Sequence, residues 1–160
     1  MIQPDLATMI AYFEEGIPFN RHLGMKVVQL AADKCVIRIP FAPHLIGDVL
    51  RPAIHGGVIS SLADTAGGLA VFVRMGTIEA RVSTVDLRVD YYAPGGMAEL
   101  FAEATVVRLG NRVGVARIHL HQGDPNLLVA EGKGVYNVRL LPVPGLKGPR
   151  RARTDRIPPP

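Results

Sequence analysis

The feature that most constrains this chain is a long apolar stretch that begins with one histidine and two glycines, His55-Gly56-Gly57. Apolar residues then lie on nearly every side of a predicted helix, which extends to about Arg74 and is ended by Gly76. A helix that is apolar all round is typical of an element buried on all sides. We therefore expect a long central helix that the rest of the chain surrounds.

One carboxylate, Asp64, interrupts this helix two turns after its start. A carboxylate on a buried helix is costly unless a partner or a function compensates for its burial. Two interpretations are open from the helix alone. Either Asp64 takes part in chemistry, or it is a buried acid satisfied by backbone N–H groups. The role of the two glycines also has two interpretations. They either expose N–H groups to a ligand or form a tight turn into the helix.

The remaining pattern predicts a short N-terminal helix and an antiparallel sheet. The helix, from about Asp5 to Glu15, ends at Gly16 and Pro18. Strands are predicted at about 25–30, 35–41, 81–93, 97–109, 112–122 and 127–140, and an irregular loop at 42–54. This order indicates an α+β fold in which one long helix packs on a curved sheet.

The segment from Val85 to Tyr91 alternates between apolar and polar side chains. One face is expected to cover the central helix and consists of Val85, Leu87, Val89 and Tyr91. The other face consists of Asp86, Arg88 and Asp90. A face this polar either contacts solvent or forms an oligomer contact rich in ion pairs.

Composition favours a folded domain that does not bind nucleic acid. The 160 residues are 48% hydrophobic and 20% charged, which is unlike a disordered chain. The formal net charge is +4, but all of it comes from residues 147–160, so the first 146 residues are neutral overall. A neutral domain lacks the basic surplus that phosphate-backbone recognition needs. We expect one domain at 1–141 and a flexible Pro- and Arg-rich tail at 142–160.

The same sequence favours the cytoplasm. The single cysteine, Cys35, excludes an internal disulfide and fits a reducing compartment, and we interpret it as a buried apolar residue. Residues 1–20 show no signal-peptide pattern, and no apolar run has membrane-spanning length. We therefore expect a cytoplasmic protein with no membrane partner.

Three motifs together are similar to one known family. They are His55-Gly56-Gly57 followed by Asp64, the strand from Thr84 to Tyr91, and the turn Arg108-Leu109-Gly110-Asn111-Arg112. Over about residues 20–140 the chain resembles the hotdog-fold acyl-CoA thioesterases of the phenylacetate-degradation type. The resemblance implies a long helix wrapped by an antiparallel sheet. It also implies homodimers joined by strand edges, which often pair into homotetramers, with active sites at the dimer interface.

The implied activity is hydrolysis of an acyl-CoA to a free acid and CoA, with no cofactor, because coenzyme A is part of the substrate. By the resemblance, Asp64 is the base or nucleophile and the Gly56 N–H is the oxyanion donor. Thr84 is the hydroxyl that acts with Asp64 opposite Gly56 of the partner subunit, and Ser83 is the neighbouring alternative. The chemistry is consistent, since a thiolate leaves readily and helix N-terminal N–H groups stabilise an oxyanion.

Further residues are candidates for binding. His55 is expected to position the loop or the carbonyl, and Gly57 to allow close approach of the thioester. Arg108 and Arg112 flank a hairpin turn, where they either bind the CoA phosphates or are solvated charges. No metal is expected, because His119 and His121 have no acidic residue at metal-site spacing.

One position departs from the family pattern. The family commonly has Asn seven or eight residues before the first glycine, whereas this chain has Gly47-Asp48-Val49, so Asp48 is the expected occupant.

Two alternative functions are considered. Asp48 and His55 suggest a hotdog enoyl-CoA hydratase, although their spacing is two residues too long. A non-catalytic acyl-CoA-binding module is the other, although it would lack a catalytic carboxylate.

Overall fold

The computed structural model describes residues 5–140, so the predicted tail and the boundary at residue 141 lie outside it. The helices are α1 (Leu6–Ala11), continued by a π-helical turn (Tyr12–Gly16), α2 (Pro18–Leu23) and α3 (Gly56–Met75). The strands are β1 (Lys26–Leu30), β2 (Lys34–Ile39), β3 (Ile46–Asp48), β4 (Ala53–Ile54), β5 (Ala80–Tyr91), β6 (Leu100–Leu109), β7 (Val113–His121) and β8 (Leu128–Leu140).

Six strands form one antiparallel sheet around α3, in the order β1-β2-β6-β7-β8-β5. Five of them, all except β1, pack against α3. Small side chains on both sides allow this close approach, as at the fully buried Ala66, Ala102 and Ala116. The predicted α+β arrangement is confirmed. The loop predicted to be irregular contains the short hairpin of β3 and β4.

The prediction that α3 is buried on all sides is wrong. Nine of its 20 residues are buried. One side, formed by Gly57, Ser61, Asp64, Gly68 and Phe72, is only partly covered. Because these residues recur every three or four positions, they share one face of the helix. The chain's own sheet therefore leaves a stripe on α3 accessible, and Asp64 lies in its middle.

The length and composition of α3 are also sufficient to cross a membrane, contrary to the prediction that no apolar run is that long. Half of the apolar stretch is buried within the protein, and five strands of the sheet pack against the helix. These contacts define α3 as the core helix of the domain.

The N-terminal region forms two helices rather than one. Pro18 does not end the first helix but begins α2, because its fixed φ suits the first helical position. The intervening π-helical turn leaves the Phe13 carbonyl to accept a hydrogen bond from Nδ2 of the buried Asn20, at 3.0 Å. Phe13 of this region is buried, whereas Leu6 of α1 is 51% exposed.

Strand β5 lies at an edge of the sheet and contains a bulge. Thr84 pairs with Tyr136 and Asp86 with Val135, so Val85 is an extra residue without a partner on β8. The prediction that Val85 covers the helix is therefore wrong, and its side chain is 64% exposed. The alternation then resumes with the predicted helix-facing residues Leu87, Val89 and Tyr91.

Candidate active site

His55 caps the N-terminus of α3 and uses most of the free donors of the first turn. Its Nδ1 accepts a hydrogen bond from the Gly57 N–H at 2.9 Å, and its carbonyl accepts from Val58 and Ile59. Among residues 5–140, no acceptor bonds the Gly56 N–H. The cap therefore leaves one free donor at the positive end of the helix dipole, and it belongs to the predicted oxyanion residue.

Tyr91 fixes the backbone beside this donor. Its hydroxyl donates to the Gly56 carbonyl at 3.0 Å and lies 2.5 Å from the Ser60 hydroxyl. A Cβ on Gly56 would lie 3.6 Å from the Tyr91 ring, which is ordinary contact, and Gly56 has no positive φ. The fold itself therefore does not require glycine at position 56. The alternation placed Tyr91 on the helix side but did not identify its contact with Gly56.

Two turns further along α3, Asp64 contacts Thr84 of the edge strand β5. The Thr84 hydroxyl donates to Asp64 Oδ1 at 2.8 Å. Ser83, the alternative hydroxyl, points to the opposite side of β5, since neighbouring strand residues alternate. Within the described part of the chain, Asp64 Oδ2 has no side-chain or backbone donor. One carboxylate oxygen is thus held in place and the other is available to a ligand.

Tyr136 holds the backbone of Asp64, a contact that the sequence analysis missed. Its hydroxyl donates to the Asp64 carbonyl at 3.0 Å. Burial raises the pKa of Tyr136 far above its ordinary value, so the hydroxyl remains a donor at every physiological pH. The ring lies where Gly67 on α3 and Gly134 on β8 leave space, because a Cβ on either would collide with the Tyr136 hydroxyl.

A cavity of about 660 Å³ opens beside Asp64 and Thr84. Its walls are α3, the edge strand β5 and the N-terminal helices, and most of the lining is apolar. Apolar lining residues include Met9, Phe13, Leu69, Phe72 and Val82. Ligand sites of about 300–1,000 Å³ are usual for small molecules, mostly apolar with few polar groups, and this cavity is of that kind.

The carboxylate of Asp48 is used by its own loop. Oδ1 accepts hydrogen bonds from the N–H groups of Leu50 and Arg51 at 2.9 and 3.1 Å, and Oδ2 lies 3.4 Å from Arg51 Nε. Asp48 therefore contacts neither His55 nor Asp64 within the subunit. The pair of Asp48 and His55 that would suit a hydratase is not formed.

Arg108 and Arg112 lie apart from this site. Both are exposed at the β6–β7 hairpin, and Arg108 pairs with Val115 on the sheet face that points away from α3.

His121 is buried against the Phe101 ring. Across residues 5–140, no group of three His, Cys, Asp or Glu side chains is close enough to share an ion. Burial raises the pKa of Cys35 to about 12, so it behaves as a buried apolar residue.

Gly56 and Asp64 are too far apart to act on one carbonyl within a single subunit. They are eight residues apart on one continuous helix, which corresponds to about 12 Å along its axis. A catalytic base and an oxyanion donor must both lie about 3 Å from the reacting group. Gly56 and Asp64 of one subunit therefore do not reach the same carbonyl.

Comparison with known proteins identifies the family of this chain. The profile described as "Thioesterase superfamily" matches residues 52–129. Over 138 residues the chain is 34% identical to the "Medium/long-chain acyl-CoA thioesterase YigI" of Escherichia coli K12, covering 79% of this chain and 88% of that protein.

Two solved structures illustrate the shared fold. A mutant of the phenylacetic acid degradation protein PaaI from Thermus thermophilus has a TM-score of 0.66 at 29% identity, covering 76% of this chain and 98% of that one. A thioesterase from Haemophilus influenzae has a TM-score of 0.76 at 21% identity, covering 88% and 94%, which shows the fold alone.

A long helix wrapped by an antiparallel sheet is the hotdog fold. The chain belongs to the thioesterase superfamily, and it is a thioester hydrolase.

Proposed function

We propose that the protein hydrolyses acyl-CoA thioesters to a free acid and CoA, at sites shared between the two subunits of a homodimer. The observation that carries the proposal is the hydrogen bond between Thr84 and Asp64 beside an apolar cavity. The substrate class is supported by YigI, whose name gives medium- and long-chain acyl-CoA as that protein's substrates. Apolar acyl chains are the ligands that an apolar cavity next to a carboxylate suits.

The edge strand β5 supports the dimer. No strand among residues 5–140 pairs with its outer edge, although it is 12 residues long. A long unpaired edge is a template for pairing with another chain. A two-fold axis pairs two copies of one strand antiparallel, so the first half of β5 meets the second half of its copy. Thr84 lies in the first half and contacts Asp64, whereas Tyr91 ends the second half and contacts Gly56.

A two-fold axis near Leu87 and Arg88 would place Thr84 opposite Tyr91 of the partner subunit. Asp64 of one subunit would then lie beside Gly56 of the partner subunit, and the separation of about 12 Å along one helix would no longer keep base and oxyanion donor apart. Two such sites form per dimer. Pairing of dimers into tetramers, as in the family, would use the polar outer face of the sheet.

The reaction follows from the groups present. Asp64 Oδ2 removes a proton from a water molecule, whose oxygen then attacks the carbonyl, while Thr84 holds Oδ1. Alternatively, Oδ2 attacks the carbonyl itself, and water hydrolyses the mixed anhydride that remains after the thiolate has left. Negative charge then develops on the carbonyl oxygen, where the Gly56 N–H of the partner subunit stabilises it. The thiolate of CoA leaves without a general acid because it is a stable anion.

Other residues take supporting roles in this proposal. His55 holds the N-terminal turn through the Gly57 N–H, which directs its Nε2 away from that turn. Gly57 lines the approach of the thioester, whereas Ser83 borders the cavity without reaching Asp64. Arg108 and Arg112 lie apart from the cavity, so they bind the CoA phosphates only if the CoA portion extends out of the cavity to the β6–β7 hairpin. Asp48 shapes the loop that precedes His55, since its carboxylate bonds the loop's own N–H groups. The protein acts in the cytoplasm without metal or cofactor.

Replacing Asp64 tests the proposal. Asp64→Asn keeps the side-chain shape but removes the base, so we expect turnover of octanoyl-CoA to fall about a hundredfold or more. Release of free CoA thiol is the measurement. Asp86→Asn is the matched control, because Asp86 lies on the same edge strand and faces away from α3. Wild-type turnover in Asp64→Asn would refute a catalytic role for this carboxylate.

A further inference from the structure

We propose that the N-terminal helix α1 and the turn after it form a wall of the acyl-chain pocket and set the acyl length that the enzyme prefers. We call Thr8, Met9, Tyr12 and Phe13 the N-terminal wall, because all four line the cavity beside Asp64. The inference rests on the proposed function and names which part of the chain selects among acyl-CoA substrates.

The cavity has a direction. On α3 its lining runs from Asp64 through Gly68 to Phe72, and on β5 it runs from Thr84 back to Ala80. Asp64 and Thr84 are thus at one end along both elements. An acyl carbonyl held at Asp64 would direct its chain along α3 towards Phe72, away from Gly56 of the same subunit.

The depth of this path suits a medium-length chain. Asp64 and Phe72 are eight residues apart on α3, about 12 Å along the axis. With carbon–carbon bonds of ~1.5 Å, an extended alkyl chain advances about 1.3 Å per carbon, so roughly nine carbons fit. Gly68, midway along the path, leaves room because it has no side chain.

The N-terminal wall covers this path on the side that the sheet does not. Met9 is half-buried although no residue of α1 is fully buried. Phe13 shares a face with Met9 because it follows four residues later. Phe13 is buried. A thioether side chain adapts to the shape of an apolar ligand, which makes Met9 suited to contact alkyl chains.

Within residues 5–140, side-chain hydrogen bonds tie the wall to the rest of the domain at its C-terminal end. Glu14 accepts hydrogen bonds from Lys26 Nζ and from the Val27 N–H, both at 2.8 Å. Partial burial acts to raise the pKa of Glu14, but these hydrogen bonds outweigh it and lower the pKa below its ordinary value. Asn20 holds the Phe13 carbonyl. Changes before Phe13 therefore leave the core and this anchor intact.

Chain-length preference follows from burial. Each methylene moved from water into the pocket contributes ~0.8 kcal/mol, about fourfold in kcat/KM. The gain stops where the pocket ends. We expect kcat/KM to increase from butanoyl-CoA to octanoyl-CoA in the wild type and to level off towards hexadecanoyl-CoA.

The test compares two substitutions in α1. Met9→Trp fills the path, and Leu6→Trp adds the same bulk on the same helix at an exposed position that does not line the cavity. The readout is the ratio of kcat/KM for octanoyl-CoA to that for butanoyl-CoA. We expect the ratio to fall at least tenfold in Met9→Trp and to stay at its wild-type value in Leu6→Trp. Deletion of residues 1–11, which removes Thr8 and Met9 from the wall, should also lower the ratio.

The outcomes separate this inference from the proposed function. An unchanged ratio in Met9→Trp and in the deletion would overturn the wall, and so would an equal loss of activity on both substrates, which indicates a structural role. If the wild type released CoA from none of the substrates, the proposed function itself would be wrong. Thermal unfolding of each variant checks that the fold is retained.

Discussion

Thr84 donates the side-chain hydrogen bond that Asp64 receives within residues 5–140. This bond fixes one carboxylate oxygen and so, in the proposed reaction, determines where the other oxygen meets a water molecule or a carbonyl. Alignment of this kind matters because a reacting group must lie within about 3–3.5 Å of its target. The bulge at Val85 directly follows Thr84 and turns the next residues of β5, as bulges beside active sites often do.

We expect Thr84→Val to reduce kcat by about ten- to a hundredfold, because removing the hydrogen bond to a charged group costs ~1.5–3 kcal/mol. Valine keeps the branched shape, so packing should not change. Thr84→Ser restores the hydroxyl and should recover most of the activity. Ser83→Ala is the control, since Ser83 does not contact Asp64. The measurement is kcat for octanoyl-CoA in steady-state kinetics. Full activity in Thr84→Val would show that Asp64 does not need the hydrogen bond from Thr84.

The sequence predicted site candidates that belong to short local motifs, and it missed contacts that form across the fold. His55, Gly56 and Asp64 lie within ten residues of each other, so one helix positions them. Tyr136 is 72 residues from Asp64 and reaches it only because β8 pairs with β5 and packs on α3. A single tyrosine on a strand carries no signal of that contact.

At the scale of elements, α3 and β8 approach each other closely around the Tyr136 ring. Gly67 faces the ring from the helix, and Gly134 makes room for it on the strand. Glycine in a helix interior normally lowers stability, so its presence at position 67 is explained by space rather than by backbone conformation. A Cβ atom added to the neighbouring Gly68 would lie 3.5 Å or more from the same ring, which is ordinary contact.

These two glycines give a matched pair for a stability test. Gly67→Ala forces a methyl group into the Tyr136 hydroxyl, so we expect the free energy of unfolding to fall by ~1–2 kcal/mol. Gly68→Ala adds the same methyl group with ordinary contacts and should raise the free energy of unfolding by ~0.5–1 kcal/mol through helix propensity. Urea unfolding measures both. Equal effects at the two positions would show that Tyr136 moves aside without cost.

The strands were predictable as elements because alternation and turn residues are local. The bulge in β5 was not, since an extra residue exists only relative to the partner strand β8. The partly covered side of α3 was also missed. Its residues, such as Ser61 and Gly68, are small and are therefore compatible with a buried position. The sequence alone does not show that the sheet covers only one side of α3.

At the scale of the whole molecule, the proposed active site requires a second subunit. Gly56 is the first residue of α3, where proline is well accepted because the N–H has no helical partner. His55 has φ −60° and ψ 133°, the extended conformation that a residue before proline needs. Gly56→Pro should therefore remove the oxyanion donor and leave the fold intact. Gly56→Ala is its control, because alanine adds a side chain but keeps the N–H.

Mixed dimers test the shared site directly. We expect homodimers of Asp64→Asn and of Gly56→Pro each to lose about a hundredfold or more in turnover, because each lacks one essential group at both sites. A heterodimer of the two variants, purified through two different affinity tags, has one site with both substitutions and one with neither. It should therefore have about half of the wild-type turnover per dimer. If Asp64 and Gly56 acted within one subunit, both sites of the heterodimer would carry one substitution, and it would be as inactive as the homodimers.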